Sequence, residues 1–218
     1  MFSIIKKIFK SPYRFKNKIV SIGPNYRIVD NLNDKSIVVD IGLGDNANFS
    51  KALIKRYNLK SFGFDPTRKH FSFLKEIEKK SNGHFKFYPL AVSDKKGEEI
   101  FYESTVNISG SILRKHRNVK KDRVITYLVE TITIKNIFPL INSNHIDLLK
   151  MDIEGEEYAV FSSIEESILK KINQLVIEFH HHCIEGVFHN ATLNCVRLMK
   201  NYGFREYSDD KINYLFFQ

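Results

Sequence analysis

A chain of 218 residues, 43% of them hydrophobic, can bury one sizeable core, and its composition gives no reason to expect two. Its 34 Lys and Arg against 25 Asp and Glu give a formal net charge of +9 at pH 7. This charge favours anionic partners, although a solvated basic surface explains it equally simply. The chain has two cysteines, Cys183 and Cys195, which are too few for a disulfide framework and do not have the spacing of a CxxC or zinc motif. A reducing, cytoplasmic setting is therefore expected.

Residues 1–35 are interpreted as a lead-in to the main domain. Apolar side chains and lysines in residues 1–10 recur at helical spacing, which predicts a short amphipathic helix. This segment is too short and too charged to span a bilayer. It either packs on its own domain or makes a weak peripheral contact with anionic lipid. Beyond the break at Ser11–Pro12–Tyr13, one strand is expected at Tyr26–Val29.

Residues 36–218 alternate between strand-like and helix-like segments and are assigned to one domain. Strands are predicted at 37–41, 59–64, 84–90, 146–151 and 172–177, with helices at 48–57, 69–80 and about 156–162. This order is typical of a parallel, doubly wound sheet with helices on both faces. Residues 203–207 and 213–217 predict an antiparallel hairpin at one edge, which gives seven strands in all. Residues 98–130 are expected to form a less regular insert.

A glycine turn follows the first predicted strand of this domain. Asp40, Gly42 and Gly44 stand where the strand gives way to a helix, so the backbone can turn sharply beneath a nucleotide-like ligand. Asp65 ends the next strand about 20 residues later, where a carboxylate can accept both hydroxyls of a ribose. The turn lacks a third glycine, and its Asp45 would repel a pyrophosphate. A phosphate-free cofactor with one ribose, such as S-adenosylmethionine, therefore fits better than a dinucleotide.

The segment Ile146–Glu157, IDLLKMDIEGEE, carries a more specific signal. Together with VVDIGLG, FDPT and LAVSDKKG before it and VIEFH at Val176–His180 after it, this segment resembles the FkbM family of S-adenosylmethionine-dependent methyltransferases. The resemblance covers about residues 36–180. It implies a Rossmann-like class I methyltransferase fold.

The resemblance also implies roles for individual positions. Asp40, Gly42 and Gly44 would border the methionine end of the cofactor, Asp65 its ribose, and Ala91 and Val92 its adenine. Asp152, at the tip of the fourth strand, would lie beside the methyl group and the acceptor. Asn48 departs from the family pattern, because a glycine is more usual at this position. The contacts between this loop and the cofactor are therefore expected to differ in detail from those of the family.

Candidate catalytic residues follow the last two buried strands. They are Asp152, Glu154, Glu178 and His180, with His180 favoured as a base, since a hydroxyl acceptor needs a group that takes its proton. The same four side chains have the ligand types to hold a divalent metal such as Mg²⁺ that orients a sugar diol. For Glu154, a carboxylate stabilised at a helix N-terminus is an equally good explanation.

Three further features have two interpretations each. Asn107–Ser111 is either a loop that folds over the cofactor or acceptor, or a plain turn. The basic run Arg114–Lys121 either contacts a phosphate or nucleotide-sugar, or is a solvated loop. Lys150 is assigned a structural role, paired with Glu178 or another acid.

The sequence therefore predicts methyl transfer from S-adenosylmethionine to a hydroxyl oxygen of a small molecule. The preferred acceptor is a sugar of a glycan or glycolipid precursor, and both the oxygen and the sugar are implied by the family resemblance alone. The first alternative is methylation of nucleic acid, which the charge favours but which we rank lower. The second is a binding module that keeps the fold without catalysis.

Overall fold

The computed structural model describes residues 18–218, so the helix expected at residues 1–10 lies outside the described residues. The strands in chain order are β1 Ile19–Ile22, β2 Tyr26–Val29, β3 Ile37–Ile41, β4 Lys60–Phe64, β5 Phe85–Tyr88, β6 Ala91–Val92, β7 Gly97–Ser104, β8 Gly110–Ser111, β9 Val124–Ile132, β10 Ile146–Met151, β11 Ile172–Glu178, β12 Arg205–Tyr207 and β13 Asn213–Phe217. The helices are α1 Asn48–Tyr57, α2 Phe71–Lys80, α3 Arg117–Lys121, α4 Ile134–Leu140, α5 Glu157–Ser163, α6 Glu166–Leu169 and α7 His189–Asn201.

The central sheet has seven strands in the order β12-β13-β11-β10-β3-β4-β5. The strands from β11 to β5 are parallel, whereas β13 runs antiparallel to β11 and pairs with β12 as an edge hairpin. The predicted class, a mostly parallel seven-stranded α/β sheet with an antiparallel C-terminal hairpin, is confirmed. Runs of apolar residues that are buried on both faces made these strands recognisable.

Helices cover both faces of this sheet, as predicted. Val39 and Leu149 point to one face, where they pack with the apolar sides of α4, α5 and α7. Their neighbours Val38 and Leu148 point to the other face, beneath α1 and the hairpin β1–β2. Each such side chain, when fully buried, contributes about 1.5–3 kcal/mol to folding. Among the residues that the structure describes, no helix is long and apolar enough to cross a membrane.

A buried glutamine of β11 joins the hairpin β1–β2 to the central sheet by hydrogen bonds. Gln174 Oε1 accepts a hydrogen bond from the backbone N–H of Val29 at 2.9 Å, and its Nε2 donates to Oδ1 of Asn31 at 2.9 Å. These bonds satisfy an amide that would otherwise be buried without partners. The strand expected at Tyr26–Val29 is thus present, and Tyr26 reaches the carboxyl ends of β10 and β11.

The insert is more regular than the sequence predicted. Strands β6, β9, β7 and β8 form a second sheet, in which β7 and β9 pair antiparallel from Gly97 opposite Thr131 to Ser104 opposite Val124. The expectation of a less regular segment at residues 98–130 is therefore wrong. The two strands were not recognisable in the sequence because apolar Ile100 and Leu128 lie on their exposed face. Apolar and polar residues therefore do not alternate cleanly along β7 and β9.

Candidate active site

The glycine turn after β3 lies directly against the end of β10. Gly42 has a φ of +80°, and a Cβ placed on it would lie 1.7 Å from the carbonyl oxygen of Asp152. Gly44 also has a positive φ, of +61°, but its missing side chain would point into open space. Only glycine therefore fits at position 42, whereas Gly44 leaves room for a ligand. Asn48 begins α1, and its backbone N–H donates to Oδ1 of Asn46 at 3.1 Å.

A cleft opens at the carboxyl ends of β3, β4 and β10. It holds about 680 Å³ of space free of protein atoms, part of it open to solvent. Its lining includes six of the residues predicted to touch the cofactor or the methyl group: Gly42, Gly44, Asp65, Ala91, Val92 and Asp152. Ile108, Ser109 and Gly110 also line it, so the loop Asn107–Ser111 borders the cleft rather than forming a remote turn.

Asp40 does not line the cleft. Its carboxylate is buried behind the glycine turn, where Oδ2 accepts hydrogen bonds from the backbone N–H and the hydroxyl of Ser50 at 3.2 and 2.6 Å. Lys150 Nζ lies 3.5 Å from its other oxygen. Asp40 therefore fixes the first turn of α1 against the sheet, and its role is to position the glycine turn.

Asp65 both shapes the turn and faces the cleft. One of its oxygens accepts the backbone N–H of Leu43 at 2.9 Å and the other accepts that of Thr67 at 2.8 Å. Each carboxylate oxygen has two lone pairs, so both can still accept a ribose hydroxyl. This geometry fits the predicted ribose contact.

His180 lies at the centre of a cluster of carboxylates. Its Nδ1 is 2.9 Å from Oε1 of Glu157, and its Nε2 faces Asp152, Glu154 and Glu178 at 3.6, 3.7 and 4.0 Å. Burial opposes a charge on the ring, but the neighbouring carboxylates, Glu157 first, outweigh it and raise the pKa of His180 to about 10. The ring is therefore protonated at neutral pH. This corrects the expectation that His180 is the base, because an imidazolium has no free lone pair.

The carboxylates of Glu178 and Asp152 are better suited than the His180 ring to accept a proton. The hydroxyl of Tyr26 lies 2.8 Å from Asp152 Oδ2 and 3.2 Å from Glu178 Oε2, so it links the two carboxylates. Burial and the charge of Asp152 raise the pKa of Glu178 to about 7. Burial would also raise the pKa of Asp152, yet Lys150, whose Nζ is 3.4 Å away, and His180 hold it below its usual value. Glu178 is thus matched to proton transfer near neutral pH.

Glu154 faces the same cluster from a tight turn. It has a φ of +52°, and its Oε2 lies 2.9 Å from Nε2 of His116, a fully buried residue of the basic run. The carboxylate near the start of α5 is instead Glu157, which accepts the backbone N–H groups of Ile153 and Gly155 at 3.0 and 3.3 Å. The helix-terminus explanation offered for Glu154 therefore applies to Glu157. The insert reaches the acid cluster through His116.

Three of these side chains have the ligand types and the spacing for a cation. Asp152, Glu178 and His180 each offer one ligand atom, and the three atoms lie within 4.8 Å of one another. The hydrogen bond that the other ring nitrogen of His180 donates to Oε1 of Glu157 is also common around metal ligands. Two features act against a cation: the positive charge of Lys150 beside Asp152, and the protonated ring of His180, which would have to lose a proton to become a ligand.

Comparison with known families matches most of the chain. The model described as "Methyltransferase FkbM domain" matches residues 8–206. A comparison with curated proteins finds no matching sequence.

Solved structures match the chain at low identity. An rRNA methylase from Streptococcus thermophilus is 13% identical, with 85% of this chain and 86% of that chain covered and a TM-score of 0.47. A fibrillarin pre-rRNA processing protein from Methanococcus jannaschii is 8% identical, with 96% and 86% covered and a TM-score of 0.49. TrmK from M. capricolum, in complex with S-adenosyl-homocysteine, is 18% identical, with 85% and 62% covered and a TM-score of 0.38.

Proposed function

Since the chain belongs to the FkbM family of S-adenosylmethionine-dependent methyltransferases, we propose that its acceptor atom is a hydroxyl oxygen, that of a sugar. The observation that supports this proposal is the acid pair Asp152 and Glu178: Asp152 lines the cleft, and the hydroxyl of Tyr26 links it to Glu178 behind it. A neutral hydroxyl is a weak nucleophile and needs a base as its oxygen attacks carbon. A carboxylate that loses its proton near pH 7 provides one.

The described residues of the cleft fit the cofactor. Gly44 leaves open space at the turn, Asp65 presents two carboxylate oxygens, and Ala91 and Val92 supply an apolar wall. S-adenosylmethionine, when bound, supplies an electrophilic methyl group on a sulfonium sulfur. In transfer to a hydroxyl, the carboxylate of Glu178 would take the proton that the acceptor oxygen releases as it gains the methyl group. The protein's main task is to align the two reacting atoms.

The charge around the acid pair supports a neutral polyol as the acceptor. Three carboxylates, those of Asp152, Glu154 and Glu178, face Nε2 of His180, and together with Glu157 on the other ring nitrogen they outnumber the two cations of the cluster, His180 and Lys150. Carboxylates accept hydrogen bonds from hydroxyl groups, and they repel an acceptor that carries a phosphate or carboxylate close to the reacting atom. A sugar presents several hydroxyl donors without such a charge.

A divalent ion on the same residues is the alternative arrangement for activating the hydroxyl. The ligand atoms of Asp152, Glu178 and His180 would allow a cation such as Mg²⁺ to be held beside the acceptor. The two arrangements differ in one measurable property. EDTA abolishes turnover if the ion is required and leaves turnover unchanged if Glu178 takes the proton directly.

The acceptor class is tested with S-adenosylmethionine labelled in its methyl group. The purified protein is incubated with the labelled cofactor and an extract of the source cell, and the labelled product is isolated. We expect the label in a methyl ether, which survives alkali, on a sugar-containing molecule. Label on an amine, on an alkali-labile ester or in nuclease-sensitive material would overturn the proposal.

Two variants connect the product to the acid pair. Asp152→Asn and Glu178→Gln should each lower turnover by about 10²–10⁴-fold, the usual contribution of general base catalysis. Glu98→Gln, an exposed carboxylate on β7, serves as the matched control and should retain full turnover. Cofactor affinity, measured by calorimetry, should stay close to the parent value in Glu178→Gln because Glu178 does not line the cleft.

A further inference from the structure

Three segments form one continuous surface beside the mouth of the cleft. They are the loop 105–109, the segment 113–123 that contains α3, and the loop 182–188. Asn118 Nδ2 donates to the hydroxyl of Ser109 at 3.2 Å, and the backbone N–H of Arg117 donates to the carbonyl of Cys183 at 2.7 Å. We call these three segments together the rim surface.

The rim surface carries unusually exposed apolar side chains. Phe188, Val106 and Ile108 are 75, 73 and 61% exposed, and they are the three most exposed large hydrophobic side chains of residues 18–218. Ile108 also lines the cleft, so the apolar part of the rim surface extends to the entrance at this residue. Single exposed apolar residues are ordinary, but three on the same surface at the mouth of a site indicate a binding partner.

The same surface is strongly basic. The segment 113–123 has six exposed cationic side chains, namely Arg114, Lys115, Arg117, Lys120, Lys121 and Arg123. They outnumber the acids of the rim surface, Asp122 and Glu185. Asp122 is engaged with the hydroxyl of Ser104, and Glu185 pairs with Lys120. The other five cations are exposed, and within residues 18–218 none of them forms an ion pair with a carboxylate.

We propose that the rim surface docks on an anionic lipid bilayer. The two features of the rim surface match the two layers of a membrane interface. Its apolar side chains would enter the boundary of the acyl chains, and its cations would contact lipid phosphates. A nucleic acid would satisfy the cations equally well, but it offers the aliphatic side chains of Val106 and Ile108 little apolar surface. The bilayer accounts for both observations.

This docking would turn the mouth of the cleft towards the membrane. Ile108 borders the cleft while its exposed side reaches the lipid, so an acceptor anchored in the bilayer would enter without leaving it. The docking does not depend on the proposed methylation of a sugar hydroxyl, because it rests on surface residues and not on the acid pair.

The test is sedimentation of the full chain with lipid vesicles. Vesicles of phosphatidylcholine alone are compared with vesicles that contain phosphatidylglycerol, at low and high salt. We expect binding to the anionic vesicles that weakens with salt. The triple variant Val106→Ser, Ile108→Ser, Phe188→Ser and the double variant Arg114→Glu, Lys121→Glu should each lower the vesicle partition coefficient at least tenfold.

Matched control substitutions lie outside the three segments of the rim surface. Leu140, at the end of α4, and Lys60, at the start of β4, are both exposed and do not line the cleft. Leu140→Ser with Lys60→Glu should bind vesicles as the parent does. Circular dichroism of every variant checks that the fold is retained, and a variant that fails this check is replaced by its single substitutions.

Three results would overturn the docking proposal. The first is vesicle binding that is unchanged in both rim variants, which would place the membrane contact elsewhere in the chain. The second is absence of binding to anionic vesicles by the parent protein. The third is tight, salt-dependent binding of an RNA oligomer that vesicles do not displace. Methyl transfer to a soluble sugar is measured separately, so its failure and the failure of membrane docking are distinguishable.

Discussion

The hydroxyl oxygen of Tyr26 lies 2.8 Å from Oδ2 of Asp152, although the two residues are 126 positions apart in the chain. The same hydroxyl is 3.2 Å from Glu178, so one proton is offered to two carboxylates. Burial and the neighbouring charges of Asp152 and Glu178 raise the pKa of Tyr26 far above its usual value. Tyr26 therefore stays a donor at any working pH and acts as a positioning residue for the acid pair.

Tyr26→Phe removes this hydrogen bond and keeps the ring that packs edge-on against Phe49. The bond stabilises the charged form of Asp152 and Glu178, so its loss should raise the pKa of both. The acid limb of the pH profile for kcat/KM should therefore move to higher pH, and kcat at pH 7 should fall about tenfold. A pH series with a subsaturating acceptor measures the shift of the kcat/KM profile, and one with a saturating acceptor measures the change in kcat.

A second tyrosine provides the control for this substitution. Tyr57 donates to Asp30 on the surface, away from the cleft, so Tyr57→Phe removes a comparable bond without touching the acid pair. Its pH profile should superimpose on that of the parent. If Tyr26→Phe also gave the parent profile, Tyr26 would have only a packing role.

The pKa of Glu178 predicts how the parent enzyme responds to pH. With a pKa of about 7, Glu178 is protonated in acid and cannot accept the hydroxyl proton there. The value of kcat/KM should rise about tenfold per pH unit below pH 7 and level off above it. Glu178→Gln should remove this limb together with most of the rate. A profile that is flat between pH 6 and 8 in the parent would show that Glu178 is not the base.

The contrast between Tyr26 and Gly42 shows what the sequence could predict. The glycine turn, Asp65 and Asp152 each follow directly after a predicted strand of the parallel sheet, so their positions in the chain were enough to predict that they lie at the same edge of the sheet. Tyr26 and His116 come from the hairpin and the insert, and only the tertiary fold brings them to the acid cluster. The same non-local packing determines which carboxylates surround His180. Because those carboxylates raise its pKa, the sequence alone could not predict its protonation state.

Lys150 illustrates the intermediate case. Its place in a buried strand predicts that it must pair with an acid, because an unpaired buried ammonium is costly. The structure confirms the pairing and identifies the partners as Asp40 and Asp152, with a further hydrogen bond to the carbonyl of Gly42. Which acids pair with Lys150 depends on the register between neighbouring strands, and the sequence pattern does not predict that register.

Asp65 has two tasks, and substitution should affect both. Asp65→Ala would leave the buried N–H groups of Leu43 and Thr67 without an acceptor, at a cost of about 1–3 kcal/mol each. We therefore expect a lower midpoint of urea unfolding as well as weaker cofactor binding. Asp65→Asn keeps one acceptor oxygen and should lose less stability. Unchanged cofactor affinity in Asp65→Asn and Asp65→Ala would mean that the ribose is held elsewhere.

Gly42 and Gly44 form a matched pair for separating fold from binding. In Gly42→Ala the new methyl group would lie 1.7 Å from the backbone oxygen of Asp152, so β3 and β10 must separate. We expect a loss of at least about 3 kcal/mol in the free energy of unfolding, measured by urea denaturation.

Gly44→Ala should give the opposite result. Its methyl group meets no atom within 4 Å, so the cost to folding is only that of a left-handed conformation, about 1–2 kcal/mol. The methyl group would, however, occupy space in the cleft, and the affinity for S-adenosylmethionine measured by calorimetry should fall at least tenfold. If Gly44→Ala bound the cofactor as tightly as the parent, the ligand would not approach the turn at this residue. If Gly42→Ala were as stable as Gly44→Ala, the close contact between the turn and Asp152 would be wrong.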